Sequence, residues 1–317
     1  MTATMGTPQD TGPVVRGSVP AAGGGQPARS RRSRPLITYG RWWWALPAVL
    51  AVLLIHYVAT AGGALYAFTN WTGIGDFDFV GLENFRRIFE DPASIGSLEN
   101  TLFLAFGFLV LTNVVGLLLA LALNRTLKTR YLLRVLFFMP VVLSPLAVSY
   151  VWKFIFDFNG PLNGVLAWFG AAPRTWLADP TLALWAVLVV MAWQTTGMVM
   201  VIYLAGLATV STEIEEAAAL DGASTWQRFR HITLPSIRPS VAIASTLMLI
   251  QGLRVFDQVM ALTGGGPAGA TETLATQVYK ETFALSNFGY GAALALLLTV
   301  IMLVFSVLQQ AATRDRS

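Results

Sequence analysis

The chain has 317 residues, of which 55% are hydrophobic and only 12% charged, with a formal net charge of +4. A water-soluble domain carries about 25% charged residues, so half that supply cannot coat a soluble globule of this size. The absence of cysteine excludes disulfides, thiolate metal sites and cysteine nucleophiles. Apolar runs longer than 18 residues recur and point to an all-α integral membrane protein. The alternation expected of β-barrel strands is missing.

Residues 1–41 come first. The stretch 1–34 is rich in Gly, Pro, Ser, Thr and Ala and ends in an arginine cluster. It cannot bury enough apolar surface to offset its ordering entropy, so the expectation is a disordered basic tail. The polar lead is too long for a signal peptide, and the apolar run that follows is too long for its core. The arginines fix topology or touch anionic lipid.

A helix needs about 20 apolar residues to cross the hydrocarbon core. Six segments meet this within a membrane domain of residues 42–312: about 42–68, 101–123, 135–156, 182–208, 237–262 and 288–308. Pro140 and Pro145 interrupt the third, and Arg254 and Asp257 lie inside the fifth. Residues 313–317 form a short tail. Lys and Arg decide the orientation. One side would collect fifteen: six before the first span, Arg125, Lys128, Arg130, Arg134, Arg228, Arg230, Arg238, Arg314 and Arg316. The other would collect five, namely Arg86, Arg87, Lys153, Arg174 and Lys280. Both termini are therefore expected in the cytoplasm.

The loop between the fourth and fifth spans, residues 211–235, reads as two short helices. Thr212 with Glu215 fits a capping box, with Glu213, Glu216 and Asp221 nearby. Gly222 falls where a left-handed cap belongs. Ser224 with Gln227 offers a second capping box, and Leu234-Pro235 is expected to end that helix. Ala217, Ala218 and Ala219 allow close approach of another surface, and the acids suit a basic partner. By residue types alone, a docking knob and a solvated amphipathic helix on the membrane are both open.

Glu216-Ala217-Ala218, Gly222 and Ile232-x-Leu234-Pro235, with Asp221 and Ala223 flanking Gly222, resemble the EAA motif of binding-protein-dependent ABC importer permeases. Further stretches are similar to carbohydrate permeases of the maltose and glycerol-3-phosphate importer type. They are Gly81-Leu82-Glu83-Asn84-Phe85, Asn159-Gly160-Pro161-Leu162-Asn163, Trp176-Leu177, Phe256-Asp257, Leu262 to Pro267 and Thr271 to Leu274. Ser211 departs from the proline usual before the EAA helix, and the first span lacks the usual mid-span proline. The resemblance covers the chain after residue 41.

It implies a permease in a bacterial cell membrane that imports sugars with a second related permease, two ATPase subunits and an extracytoplasmic solute-binding protein. It also implies that the cytoplasmic loop docks into the ATPase as a coupling helix. Glu216 would pair with a basic groove residue, Ala217 and Ala218 would permit close docking, and Gly222 would make the turn. No GxxxxGK[ST] loop occurs, so ATP and magnesium would be bound by the partner ATPase, with no cofactor in this chain. Gly264-Gly265-Gly266-Pro267 reads as a tight turn. No catalytic dyad or metal cluster is apparent around His56 or His231, and nucleic acid is not an expected partner.

Ionisable groups within a span usually face a cavity or each other. Arg254 and Asp257 are three apart on a helix, so they share a face and could pair. They are either an ion pair or part of a polar solute path. Trp193, Gln194, Thr195 and Met198 in the fourth span, with Gln251 and Gly252 in the fifth, supply the hydrogen-bonding and aromatic groups that a sugar path needs. Small polar residues also serve plain helix contacts. Rival readings are a permease for glycerol-3-phosphate, an amino acid or a peptide, and a secondary transporter.

Overall fold

The computed structural model describes residues 42–125 and 127–314, with side chains from 43 to 311 except that of residue 126. The expected tail of residues 1–41 and the last three residues lie outside them. The chain divides into two units, residues 1–51 and 52–317. In the first, the described residues form a 3-10 turn, Trp42–Ala45, and the opening turns of an α-helix. The second begins with a π-helical stretch, Leu53–Val58, then α-helical Ala59–Tyr66.

Among the described residues four helices are long and apolar enough to cross a bilayer: Trp43–Tyr66 (α1), Pro92–Leu123 (α3), Pro180–Leu207 (α7) and Phe288–Ala311 within α13, which runs to Arg314. Between the first two lies the short α2, Glu83–Glu90. Helices α3 and α7 each begin with Asp then Pro. Asp91 accepts from the Ala93 amide and Asp179 from the Thr181 amide, while the proline fills a position whose N–H would be unused. Hydrogen bonds from the Thr181 hydroxyl and amide hold the Asp179 carboxyl below its ordinary value of 3.8.

The third expected span is not one helix. Arg130–Val142 (α4) and Pro145–Ile155 (α5) meet at 102°. Pro140 stays inside α4, and the break falls at Leu143 and Ser144, which are extended (ψ 145° and 135°). The residue before a proline is pushed out of helical space, whereas the proline itself fits a first turn, so Pro145 sets the break. Pro161–Trp168 (α6) follows.

The fifth expected span is also divided. Arg238–Leu253 (α10) ends at Arg254, and Asp257–Leu262 (α11) resumes after Val255 and Phe256. The preceding loop forms Thr212–Leu220 (α8) and Thr225–Ser236 (α9). Helix α9 continues through Leu234-Pro235 instead of ending there. A π-helical turn over Phe229–Thr233 precedes the proline, and α9 meets α10 at 68°. Leu274–Tyr279 (α12) runs into another π turn, Lys280–Ala284. Counting each bent pair as one, up to six segments reach spanning length. No strand occurs among the described residues.

The core lies between α3, α7 and α10. Leu104, Phe108, Val187, Leu188, Val199, Met200, Ala244 and Met248 are buried there. Glycines let these backbones approach, as is common where lipid gives helices no hydrophobic drive to associate. A Cβ on Gly197 of α7 would lie 2.1 Å from the Phe137 oxygen of α4. One on Gly252 of α10 would lie 2.7 Å from the Ala105 Cα of α3. Asn113 accepts from Tyr203 at 2.5 Å and from Ser245 at 3.4 Å, joining the three core helices through one amide.

Candidate functional site

Two places gather the residues singled out from sequence. The first is a cavity of about 430 Å3 against the middle of α7. Its wall includes Gln194, Thr195 and Met198 of α7, and Gln251, Arg254 and Asp257 from α10, its end and α11. Phe108, Val141, Leu143, Pro145, Phe256 and Gln258 complete much of the rest. The cavity thus lies where both helix breaks meet α7. Sequence patterning missed Phe108 and Gln258, since a lone Phe and Gln inside apolar runs carry no local signal.

Of the two readings open for Arg254 and Asp257, the ion pair does not form. A helix break separates them, so they no longer share one helical face, and no salt bridge joins them. Both line the cavity instead. Two other residues named for the path lie off this cavity wall. Trp193 does not line the cavity; its ring packs edge-on against Trp152 with centroids 5.5 Å apart. It is one position, about 100° of helix, from Gln194. Gly252 is buried against Ala105 and serves helix contact.

Polar groups on the α7 wall are not equivalent. Thr195 and Thr196 return their hydroxyls to the Met191 and Ala192 carbonyls at 2.9 and 2.6 Å. Gln194 donates its Nε2 to the Leu143 carbonyl at 2.9 Å and accepts from Gln258 Nε2 at 3.3 Å. The carbonyl freed at the α4–α5 break therefore has a partner. At the second break the Thr273 hydroxyl donates to the Val255 carbonyl at 3.2 Å. Breaks in apolar surroundings are tolerated only when side chains replace the lost backbone partners.

The second place is the α8–α9 hairpin, about 20 Å from Gln194 along the α7 axis at 1.5 Å per residue. Helix α8 starts one residue earlier than the expected capping box requires. Ser211 is the cap, with its hydroxyl accepting from the Ile214 amide at 3.4 Å. Glu215 is thereby released from capping and accepts from the Thr233 hydroxyl of α9 at 2.9 Å. Gly222 has φ +84°, the left-handed value expected of it. The Gly222 amide donates to Ala219 O at 3.2 Å and the Ala223 amide to Ala218 O at 2.9 Å, the paired bonds of a Schellman end. Ser224 and Gln227 form the anticipated capping box.

Helix α8 buries none of its residues. Glu216 and Ala217 are exposed, Ala218 is half-buried, and Asp221 and Gly222 are exposed. Ile214 is 57% exposed and Leu220 is 90% exposed, an apolar pair that sequence reading overlooked beside the acids. Ile232 and Pro235 are half-buried and Leu234 is exposed, so this end of the motif supports α9 and presents less of itself.

The loop motifs are structural. Asn84 donates to the Ala67 and Thr69 carbonyls at 2.9 and 2.8 Å. Asn163 donates to the Phe158 and Arg174 carbonyls and accepts from the Trp176 indole. The glycine run 264–266 forms a turn closed by Thr271, whose hydroxyl donates to Gly266 O at 2.7 Å. Among the described residues no group of His, Asp and Glu could hold a metal ion.

The long apolar helices of the described residues define a multi-pass membrane protein. Residues 112–317 match the family of binding-protein-dependent transport system inner membrane components, and the chain belongs to that family. It is 37% identical over 86% of its length to the multiple sugar-binding transport system permease protein of Streptococcus mutans, covering 94% of that protein. It is 33% identical to the trehalose/maltose transport system permease protein of Thermococcus litoralis, covering 83% of this chain and 88% of the other. A solved bacterial ABC transporter involved in import of the acidic polysaccharide alginate shares the fold, with TM-score 0.77 at 23% identity over 86% of this chain and 94% of that one. The chain is thus a multi-pass membrane protein and a transporter subunit, not an enzyme.

Proposed function

We propose that this chain is the permease subunit of an ATP-driven, binding-protein-dependent sugar importer in a bacterial cell membrane. The named activities of its relatives support sugar as the solute class. The assembly contains a second related permease, two ATPase subunits that bind ATP and magnesium, and an extracytoplasmic solute-binding protein. Six spans would bring both termini to one side, and the fifteen-to-five distribution of Lys and Arg supports the cytoplasm as that side. That orientation puts the α8–α9 hairpin in the cytoplasm.

The observation that carries this reading is the uncovered face of α8. A helix that buries nothing, yet exposes Leu220 and Ile214 beside Glu216 and Ala217, is suited to a partner surface. A helix lying on the membrane would place its acids beside anionic headgroups, which favours docking to protein. The hairpin is the coupling element: Glu216 pairs with a basic residue of the ATPase groove and the alanines permit close approach. ATP binding draws the ATPases together and moves the hairpin, and α7 and α10 carry that motion to the cavity. Gln194, Thr195, Met198, Gln251, Arg254 and Asp257 then face the sugar path.

Purification from native membranes followed by reconstitution tests this. Sugar uptake into proteoliposomes is expected only with ATP and the solute-binding protein. Uptake driven by a proton or sodium gradient without ATP would overturn the proposal. Ligand identification on the co-purified binding protein then separates sugars from glycerol-3-phosphate, amino acids and peptides.

A further inference from the structure

Both broken segments converge on one side chain. At the α4–α5 break, Leu143 is extended and its carbonyl has left the helical ladder. Gln194 donates to that carbonyl at 2.9 Å from the middle of α7. Its other amide atom accepts at 3.3 Å from Gln258, in the first turn of α11 just beyond the second break. Gln194 is only 5% exposed, yet it lies at the cavity wall with both its partners. Its threonine neighbours spend their hydroxyls on their own helix. Leu143 O can only accept, so Nε2 must face it and Oε1 must face Gln258.

We propose that Gln194 is a positioning residue of the transport cycle: its amide ties the α4–α5 break to the α10–α11 break across α7. The two broken segments then move as one wall of the cavity. The inference rests on the permease reading above. It differs from a role as a solute ligand, because the amide is engaged at both ends. A neutral amide is suited to the task, since the link needs a donor toward α4 and an acceptor toward α11. Glutamate in its ionised form has no donor and would set a carboxylate against the Leu143 oxygen.

The test uses the complete importer with its partner subunits. The chain has no cysteine, so a single introduced cysteine is the one thiol this subunit offers to the label. Val141→Cys reports on α4 and Phe256→Cys on the second break. In the parent importer both are expected to change maleimide labelling together when ATP is added. With Gln194→Leu, the two responses should separate, and sugar imported per ATP hydrolysed should fall at least about tenfold, since both hydrogen bonds of the link are lost and one alone is on that scale. Gln258→Leu removes the far half of the link and leaves the Leu143 carbonyl partnered. It keeps the test decisive if Gln194→Leu fails to assemble, and it should separate the responses in the same way.

If Gln258→Leu leaves labelling concerted and coupling intact, the link is refuted. If Gln194→Leu only raises the KM for sugar while Gln258→Leu has no effect, Gln194 is a ligand and the proposal falls. A parent importer with no ATP-dependent labelling and no ATP-dependent uptake would overturn the permease reading itself.

Discussion

Gly222 is where the hairpin makes its most demanding backbone turn, and substitutions there separate conformation from contact. Its φ of +84° lies in the left-handed region, and a Cβ built on it would meet nothing within 4 Å. Alanine therefore adds no clash and meets only the intrinsic cost of left-handed backbone, about 1–2 kcal/mol. That lowers the population of the native turn about 5- to 30-fold. Asparagine, which tolerates this region, should cost least, valine more than alanine, and proline most. Proline fixes φ near −65° and lacks the N–H that bonds Ala219 O. Binding-protein-stimulated ATP hydrolysis and sugar uptake by the reconstituted importer read the effect. Coupling should fall in the order Gly, Asn, Ala, Val, Pro, with thermal stability of the transmembrane body nearly constant. Full uptake by a well-expressed Gly222→Pro variant would refute the reasoning.

Gly197→Ala and Gly252→Ala should each lower stability by about 1–3 kcal/mol through overpacking, because the added carbon meets backbone that cannot move aside. Gly62→Ala, inside a helix with nothing within 4 Å, should raise the thermal unfolding midpoint slightly, through a helix preference of about 0.5–1 kcal/mol. Thr233→Val keeps the shape of the side chain and removes the donor to Glu215, so hairpin stability should fall by about 1 kcal/mol. Glu215→Gln, which retains an acceptor, should behave like the parent; equal loss in both would assign the effect to charge. Asn163→Ala strips partners from the Asp157, Phe158 and Arg174 carbonyls, the Arg174 amide and the Trp176 indole, and should cost about 1–3 kcal/mol in thermal unfolding of the purified complex.

Sequence reading succeeded where a local rule met no competitor. The long apolar runs of α1, α3, α7 and α13 are helices, and Gly222 with Ser224 and Gln227 shapes the hairpin as their residue types require. It failed where two rules competed. Pro140 and Pro145 looked equally disruptive, but Pro145 occupies a first turn while Pro140 rides inside α4, leaving Leu143–Ser144 to break. Thr212 and Ser211 competed for one cap, and Ser211 won by lying outside the helix, which freed Glu215 for Thr233. The Arg254–Asp257 pairing assumed an unbroken helix, whereas α10 ends between them. Trp193 and Gly252 were named for the path by residue type, which does not say which way a side chain faces; Trp193 packs on Trp152 and Gly252 against Ala105. The partner of Gln194 was invisible because Leu143 is remote in sequence and acts through its backbone.

A cysteine placed at Ala217 measures the role of the hairpin most directly. In the assembled importer, with a second cysteine in the ATPase groove, oxidation should yield one covalent adduct between the two subunits and arrest transport until it is reduced. An importer that keeps transporting while Ala217→Cys stays fully open to a soluble thiol reagent, with no adduct formed, would show that no motor grips this chain there.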